Sequence, residues 1–168
     1  SLHIIDKPDA KLRHFEYLHS ANSDPVRSLS ESLAENIGPK GSIFVWYQDF
    51  EKGRNTEMGD MLPEFHKFYH RLNERIIDLI VPFFDFYYVD ARFGGSASIK
   101  DVLPVMVPEL SYKELGIQEG GAAQRLWMEA ILDSKHAGKE QQILSDLLEY
   151  CKLDTLAMVE IYKKLLTL

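Results

Sequence analysis

The sequence predicts a mixed α/β domain, and three stretches carry that prediction. Ser1–Lys7 and Leu12–His19 alternate apolar and polar residues, as two paired strands do. Ser42–Tyr47 is dense in Ile, Phe, Val, Trp and Tyr, which suits a strand buried on both faces in the parallel part of a sheet. The last stretch, about Lys139 to Leu166, repeats apolar residues at helical spacing.

The elements follow in order. Pro8-Asp9-Ala10 is a turn signal, so the first two strands make a hairpin. Ser23-Asp24-Pro25 supplies a capping residue and a first-turn proline, and Val26, Leu29, Leu33 and Ile37 then follow at helical spacing until Gly38-Pro39. A helix is expected directly after the apolar strand, at Asp49-Phe50-Glu51. Phe65, Phe68, Tyr69, Leu72 and Ile76 predict another helix over Pro63–Leu79. Ile76–Val89 reads as a strand or an irregular apolar segment. Arg92–Ser96 reads as a loop. Ser98 is placed to cap a short helix through Ile99, Val102 and Leu103, and Ala122–Leu132 reads as a helix. In the final helix, Leu144, Leu147, Leu148, Cys151, Met158, Ile161 and Leu165 form the expected apolar stripe.

Composition narrows the function classes. With 168 residues, 45% of them hydrophobic, the chain can bury a core as one domain spanning 1–168. Its 26 acidic and 19 basic side chains leave a net charge of −7, which excludes a general polyanion-binding surface. A nuclease stays open, because metal ions offset the charge of its carboxylates. The one cysteine, Cys151, can make neither an intrachain disulfide nor a zinc cage, so a reducing, cytoplasmic location is expected. No apolar run approaches the roughly 18 residues that span a bilayer, and no signal peptide opens the chain, so no membrane association is expected. Ser1–Ile5 already reads as a strand, which suggests a fragment of a longer protein.

Four groups could carry chemistry. Asp49-Phe50-Glu51 lies at the carboxyl end of the apolar strand, where open α/β sheets place ligands and where carboxylates suit hard divalent cations. Acids there also complement a helix dipole. Tyr150 and Asp154, four residues apart, share one helix face, either as metal ligand and water-orienting phenol or as a surface pair. Asp78 sits in an apolar stretch and needs a partner, a metal or a helix end. Gly94-Gly95-Ser96-Ala97-Ser98-Ile99-Lys100 can bind a phosphate at a helix start or be a plain capped turn; it lacks the spacing of a P-loop. His66 and His70 lack the glutamate of a zinc-protease motif and read as solvated or half-buried.

The order of these motifs resembles the DEDD exonucleases of the ribonuclease H-like superfamily. Phe50-Glu51 resembles the second motif of those enzymes, with Glu for Asp, and Tyr150-x-x-x-Asp154 resembles the tyrosine form of the third. Ser96–Pro104 and Leu148–Val159, with Arg75–Leu79 and Val107–Tyr112, are also similar to a bacterial domain-of-unknown-function family, the one numbered 2779. The resemblance implies a ribonuclease H-like mixed sheet flanked by helices. It implies metal-dependent 3'-5' hydrolysis of nucleic-acid phosphodiesters, with DNA or RNA as partner. Glu51, Asp154 and Asp49 are the implied ligands of two Mg²⁺ or Mn²⁺ ions; Tyr150 would orient the attacking water and Lys100 contact a phosphate. Two departures stand out. No Asp-x-Glu precedes Leu12, so the expectation is a chain lacking its first strand, inactive as a fragment and prone to dimerise along unpaired edges. Tyr47 stands where these enzymes carry Asn. The alternative is a non-catalytic module, binding nucleic acid or protein on the same scaffold.

Overall fold

A computed structural model describes residues 1–7 and 10–167. The chain opens with an antiparallel hairpin of β1 (Leu2–Ile4) and β2 (Arg13–Phe15), in which His3 faces His14. The expected turn at Pro8-Asp9-Ala10 lies partly outside the described residues. Helix α1 (Val26–Asn36) starts after Pro25, and Asp24 Oδ1 accepts its first N–H from Val26 at 2.8 Å. Strand β3 (Ile43–Val45) follows, then α2 (Gln48–Met61), a 3₁₀ turn (Pro63–Phe65) and α3 (His66–Asn73). Strand β4 (Ile76–Asp78) pairs with β3 in parallel, as the apolar character of Ser42–Tyr47 required.

The predicted helix over Pro63–Leu79 is therefore corrected: it stops at Asn73. The apolar spacing runs on to Leu79, but tertiary pairing overrides it. The Arg75 guanidinium donates to the carbonyls of Gly38, Gly41 and Lys40 at 2.7, 2.8 and 2.7 Å, which fastens the start of β4 beside the entry to β3. The β-branched Ile76 and Ile77 then suit a strand. Past β4, a short α4 (Val81–Phe84) leads to an exposed turn in which Phe86 holds a left-handed φ of 60°.

The rest is helical: α5 (Ile99–Met106), α6 (Gly120–Trp127), a π-helical turn (Met128–Leu132) and α7 (Glu140–Leu165). Ser98 caps α5 as expected, accepting from the Lys100 N–H at 3.3 Å. The core lies between α5 and α7, where Val102, Leu103, Met106, Ala157 and Ile161 are buried with Phe83 and Phe93. The buried face of α7 is Ile143, Leu147, Tyr150, Ala157 and Ile161. Of the expected stripe, only Leu147 and Ile161 are fully buried; Leu144, Leu148, Cys151, Met158 and Leu165 are half-buried. The face is rotated because the bulky Tyr150 ring packs inward, against the ring of Tyr112 at 6.0 Å.

The sheet departs from a single continuous layer: the described strands form two separate two-stranded ladders. Both rest on α7. Ser1 Oγ and His3 Nδ1 each meet Thr155 Oγ1 at 2.8 Å, and the Phe44 ring packs on Tyr162 at 4.5 Å. Among the described residues no helix is long and apolar enough to cross a membrane.

Candidate functional site

The sequence places acids after β3, and the structure shows how that corner is built. Tyr47 takes a left-handed φ of 77°, turning the chain sharply from β3 into α2. The turn is held by Asp78, whose carboxylate accepts from the N–H groups of Tyr47, Gln48 and Ile80 at 2.9, 2.7 and 3.1 Å. Asp78 is thus a helix-end acid: a carboxylate at the end of one strand caps the helix that follows its neighbour. Asp49 and Glu51 both occupy the first turn of α2. Asp49 is exposed, whereas Glu51 is half-buried. Burial raises the Glu51 pKa above the ordinary carboxylate value.

On the other side of the corner, Trp46 Nε1 donates to the Ala97 carbonyl at 3.1 Å, which docks the end of β3 on the loop before α5. In that loop Ser96 Oγ accepts from Ser98 N–H at 3.0 Å, and Ser98 caps α5. Both serine hydroxyl oxygens accept from backbone N–H groups, so the glycine-serine stretch forms a capped turn. Its outcome is to aim Lys100, whose Nζ lies 5.9 Å from the ring centres of both Tyr112 and Tyr150.

Asp154 completes this cluster, one helical turn after Tyr150 on α7. Tyr112 donates its phenol proton to Asp154 Oδ1 at 2.6 Å. Burial raises the Asp154 pKa; the Tyr112 bond, the Tyr150 hydroxyl and the Lys100 charge oppose that rise. Burial and the neighbouring carboxylate raise both tyrosines' pKa values, so each phenol keeps its proton and acts as a donor. The Tyr150 hydroxyl also passes close to Gly120, where an added Cβ would lie 3.6 Å from it.

The structure therefore gathers Tyr150, Asp154 and Lys100, three of the residues singled out by sequence, around a fourth that sequence reasoning missed, Tyr112. Glu51 belongs to the neighbouring corner. Among the described residues no three His, Cys, Asp or Glu side chains converge as a metal-holding group. Of the implied ligands Glu51, Asp154 and Asp49, the first two are half-buried and Asp49 is exposed. His66 and His70 are exposed, in line with the solvated reading.

These features define a mixed α/β domain with a semi-buried carboxylate–tyrosine–lysine cluster beside a capped strand-to-helix corner. The chain belongs to the family described as Domain of unknown function (DUF2779), whose model matches residues 1–98. It is similar to the uncharacterized protein MG366 of Mycoplasma genitalium, at 26% identity over 148 residues, covering 80% of this chain and 22% of that protein. It is also similar to the MG366 homolog of Mycoplasma pneumoniae, likewise uncharacterized, at 28% identity over 151 residues, 82% of this chain and 22% of that protein. The chain thus spans about a fifth of the length of these relatives. No solved structure matches it.

Proposed function

We propose that this chain is part of a metal-dependent, exonuclease-like domain of ribonuclease H-like layout that hydrolyses nucleic-acid phosphodiesters. The observation that carries the proposal is the Asp154 cluster: a desolvated carboxylate with Tyr150 and Lys100 beside it, in the motif order of the exonucleases. Glu51 and Asp154 would hold the cation, since burial disfavours both as anions and a bound cation relieves that cost. Two Mg²⁺ or Mn²⁺ ions, when bound, stabilise the attacking and leaving oxygens of the displaced phosphate. Tyr150 keeps its proton and so hydrogen-bonds a water rather than deprotonating it. Lys100 supplies the positive charge of the cluster toward a phosphate. Asp49, exposed on the same helix turn, would add a ligand from the solvent side.

The two ladders support the layout. Thr155, under β1, and Tyr162, under β3, are seven residues apart on α7. In the longer protein the proposal assigns a further strand, bearing Asp-x-Glu, between the two ladders. Mn²⁺ titration calorimetry of the longer protein tests the metal reading. Saturable binding, weakened in Glu51→Gln, is the expected result; a flat titration removes the proposal.

Among the described residues each strand of the two short ladders has one partner, so its other edge can offer backbone N–H and C=O groups to another chain. The accompanying proposal is that copies of this 168-residue chain associate as a homodimer. Light scattering that returns a monomer mass at every concentration would count against it. A binding module without catalysis is the second reading. What favours it is that the described residues bring together fewer than three acids or other metal-binding side chains. Saturable nucleic-acid binding that is indifferent to divalent ions would select it.

A further inference from the structure

Strands β3 and β4 run parallel, so the segments that follow them leave the ladder at the same edge. The Trp46 ring stacks on the buried Phe83 ring at 5.6 Å, which ties the start of α2 to α4. Beside that pair the chain turns an aromatic surface to water: Tyr47, Phe84, Phe86, Tyr87 and Val89 are each between 56% and 81% exposed. The segment that carries four of them is fixed from inside. The ring centres of Phe83, Tyr88 and Phe93 lie 5.7 to 6.0 Å apart. Asp85, Phe86 and Tyr88 donate their N–H groups to the carbonyls of Val81, Phe83 and Pro82 at 3.0, 3.3 and 2.8 Å. Two of the exposed aromatics hold left-handed backbone, Tyr47 at φ 77° and Phe86 at φ 60°. That region is costly for a bulky side chain. Phe86 stays there with its ring in solvent, so burial among these residues does little to offset the strain. A fixed, strained, apolar surface of this kind marks a place where something docks.

We propose that this aromatic edge is the docking surface for another domain of the same longer polypeptide, one that presents an apolar face rimmed by Lys or Arg. Two observations choose that occupant. Nearly four fifths of each Mycoplasma relative lies outside the matched segment, so attached chain is at hand, and attachment raises its concentration at the edge to about the millimolar range. The charges on the edge suit a basic rim and oppose a phosphate backbone: Asp49 and Asp85 are exposed there, while Arg92 is held by Asp90 at 2.6 Å and Arg54 by Glu57. This docking needs neither the cation nor the hydrolysis proposed above.

The test places p-benzoylphenylalanine at position 87 of the longer protein, where the Tyr87 ring is exposed and its replacement disturbs no core packing. On irradiation, a crosslink to a peptide of the same chain outside these 168 residues is expected, identified by mass spectrometry. Mixing isotope-labelled with unlabelled protein separates same-chain products from products between copies. A product between two copies, a product with added oligothymidylate, one confined to these 168 residues, or none at all overturns the proposal. Phe86→Gly is the second measurement. Glycine suits the left-handed turn, so the turn is expected to persist, checked by far-UV circular dichroism. The same variant removes the ring, and the crosslink yield from position 87 is expected to fall at least about fivefold, as for loss of a central interface contact. An unchanged yield in Phe86→Gly overturns the docking role of the aromatic edge.

Discussion

In the longer protein that carries this chain, Asp154→Asn is expected to lower metal-dependent hydrolysis of single-stranded DNA or RNA by at least about a hundredfold, since the charge stabilisation at stake in such sites is several kcal/mol. The change is nearly isosteric. It keeps an acceptor for the Tyr112 phenol, so the contact at 2.6 Å has a successor and the fold has no reason to fail. What it removes is the negative charge. Asp154 is desolvated, and the Lys100 charge acts on it; the asparagine variant leaves Lys100 over two tyrosine rings without that anion. Melting temperature is expected to stay within a few degrees of wild type while turnover collapses. Turnover unchanged within twofold would remove Asp154 from the mechanism. The assay separates the enzyme from the binding module, which would tolerate the variant.

Leu103→Ala is expected to destabilise the fold by about 2–5 kcal/mol, the range for deleting a buried leucine. Leu103 has no exposed surface and lies on α5 against α7, in the same core cluster as Val102, Ala157 and Ile161. Interiors this closely packed collapse only partly around a deletion, so a cavity term adds to the lost transfer energy. Leu166→Ala is the control: it is 68% exposed, just beyond the end of α7, and is expected to change stability by no more than about 0.5 kcal/mol. Urea midpoints for the two variants check the pair. A loss below about 1 kcal/mol in Leu103→Ala would mean that the α5–α7 contact is not the core.

Local chemistry made much of this legible. The hairpin, the Asp24–Pro25 helix start, the Ser98 cap and the parallel character of Ser42–Tyr47 each follow from residues within a few positions, and each is present. Where sequence reading failed, the deciding partner was remote. The helix predicted through Leu79 ends early because Arg75 reaches carbonyls more than thirty positions back. Asp78 looked like an orphan in an apolar run because its partners sit at Tyr47 and Gln48. Tyr112 ended the family-like Val107–Tyr112 stretch without a role of its own, since its partner Asp154 lies 42 residues on. Tyr150 and Asp154 were legible as neighbours because a helix repeat brings them together, and the rotation of α7 that buries Tyr150 was not, because packing partners set it.

The Asp78 cap has a consequence for charge balance. A helix start ordinarily offers an approaching anion a fractional positive charge, equivalent to about half an elementary unit. At α2 that offer is already taken by an internal carboxylate, and Asp49 and Glu51 add two more acids to the same turn. A phosphodiester reaching this corner thus meets a negative potential and needs imported positive charge to settle. Binding of nucleic acid here would respond to chelators more steeply than to added monovalent salt, the reverse of the counterion-release behaviour of a basic groove.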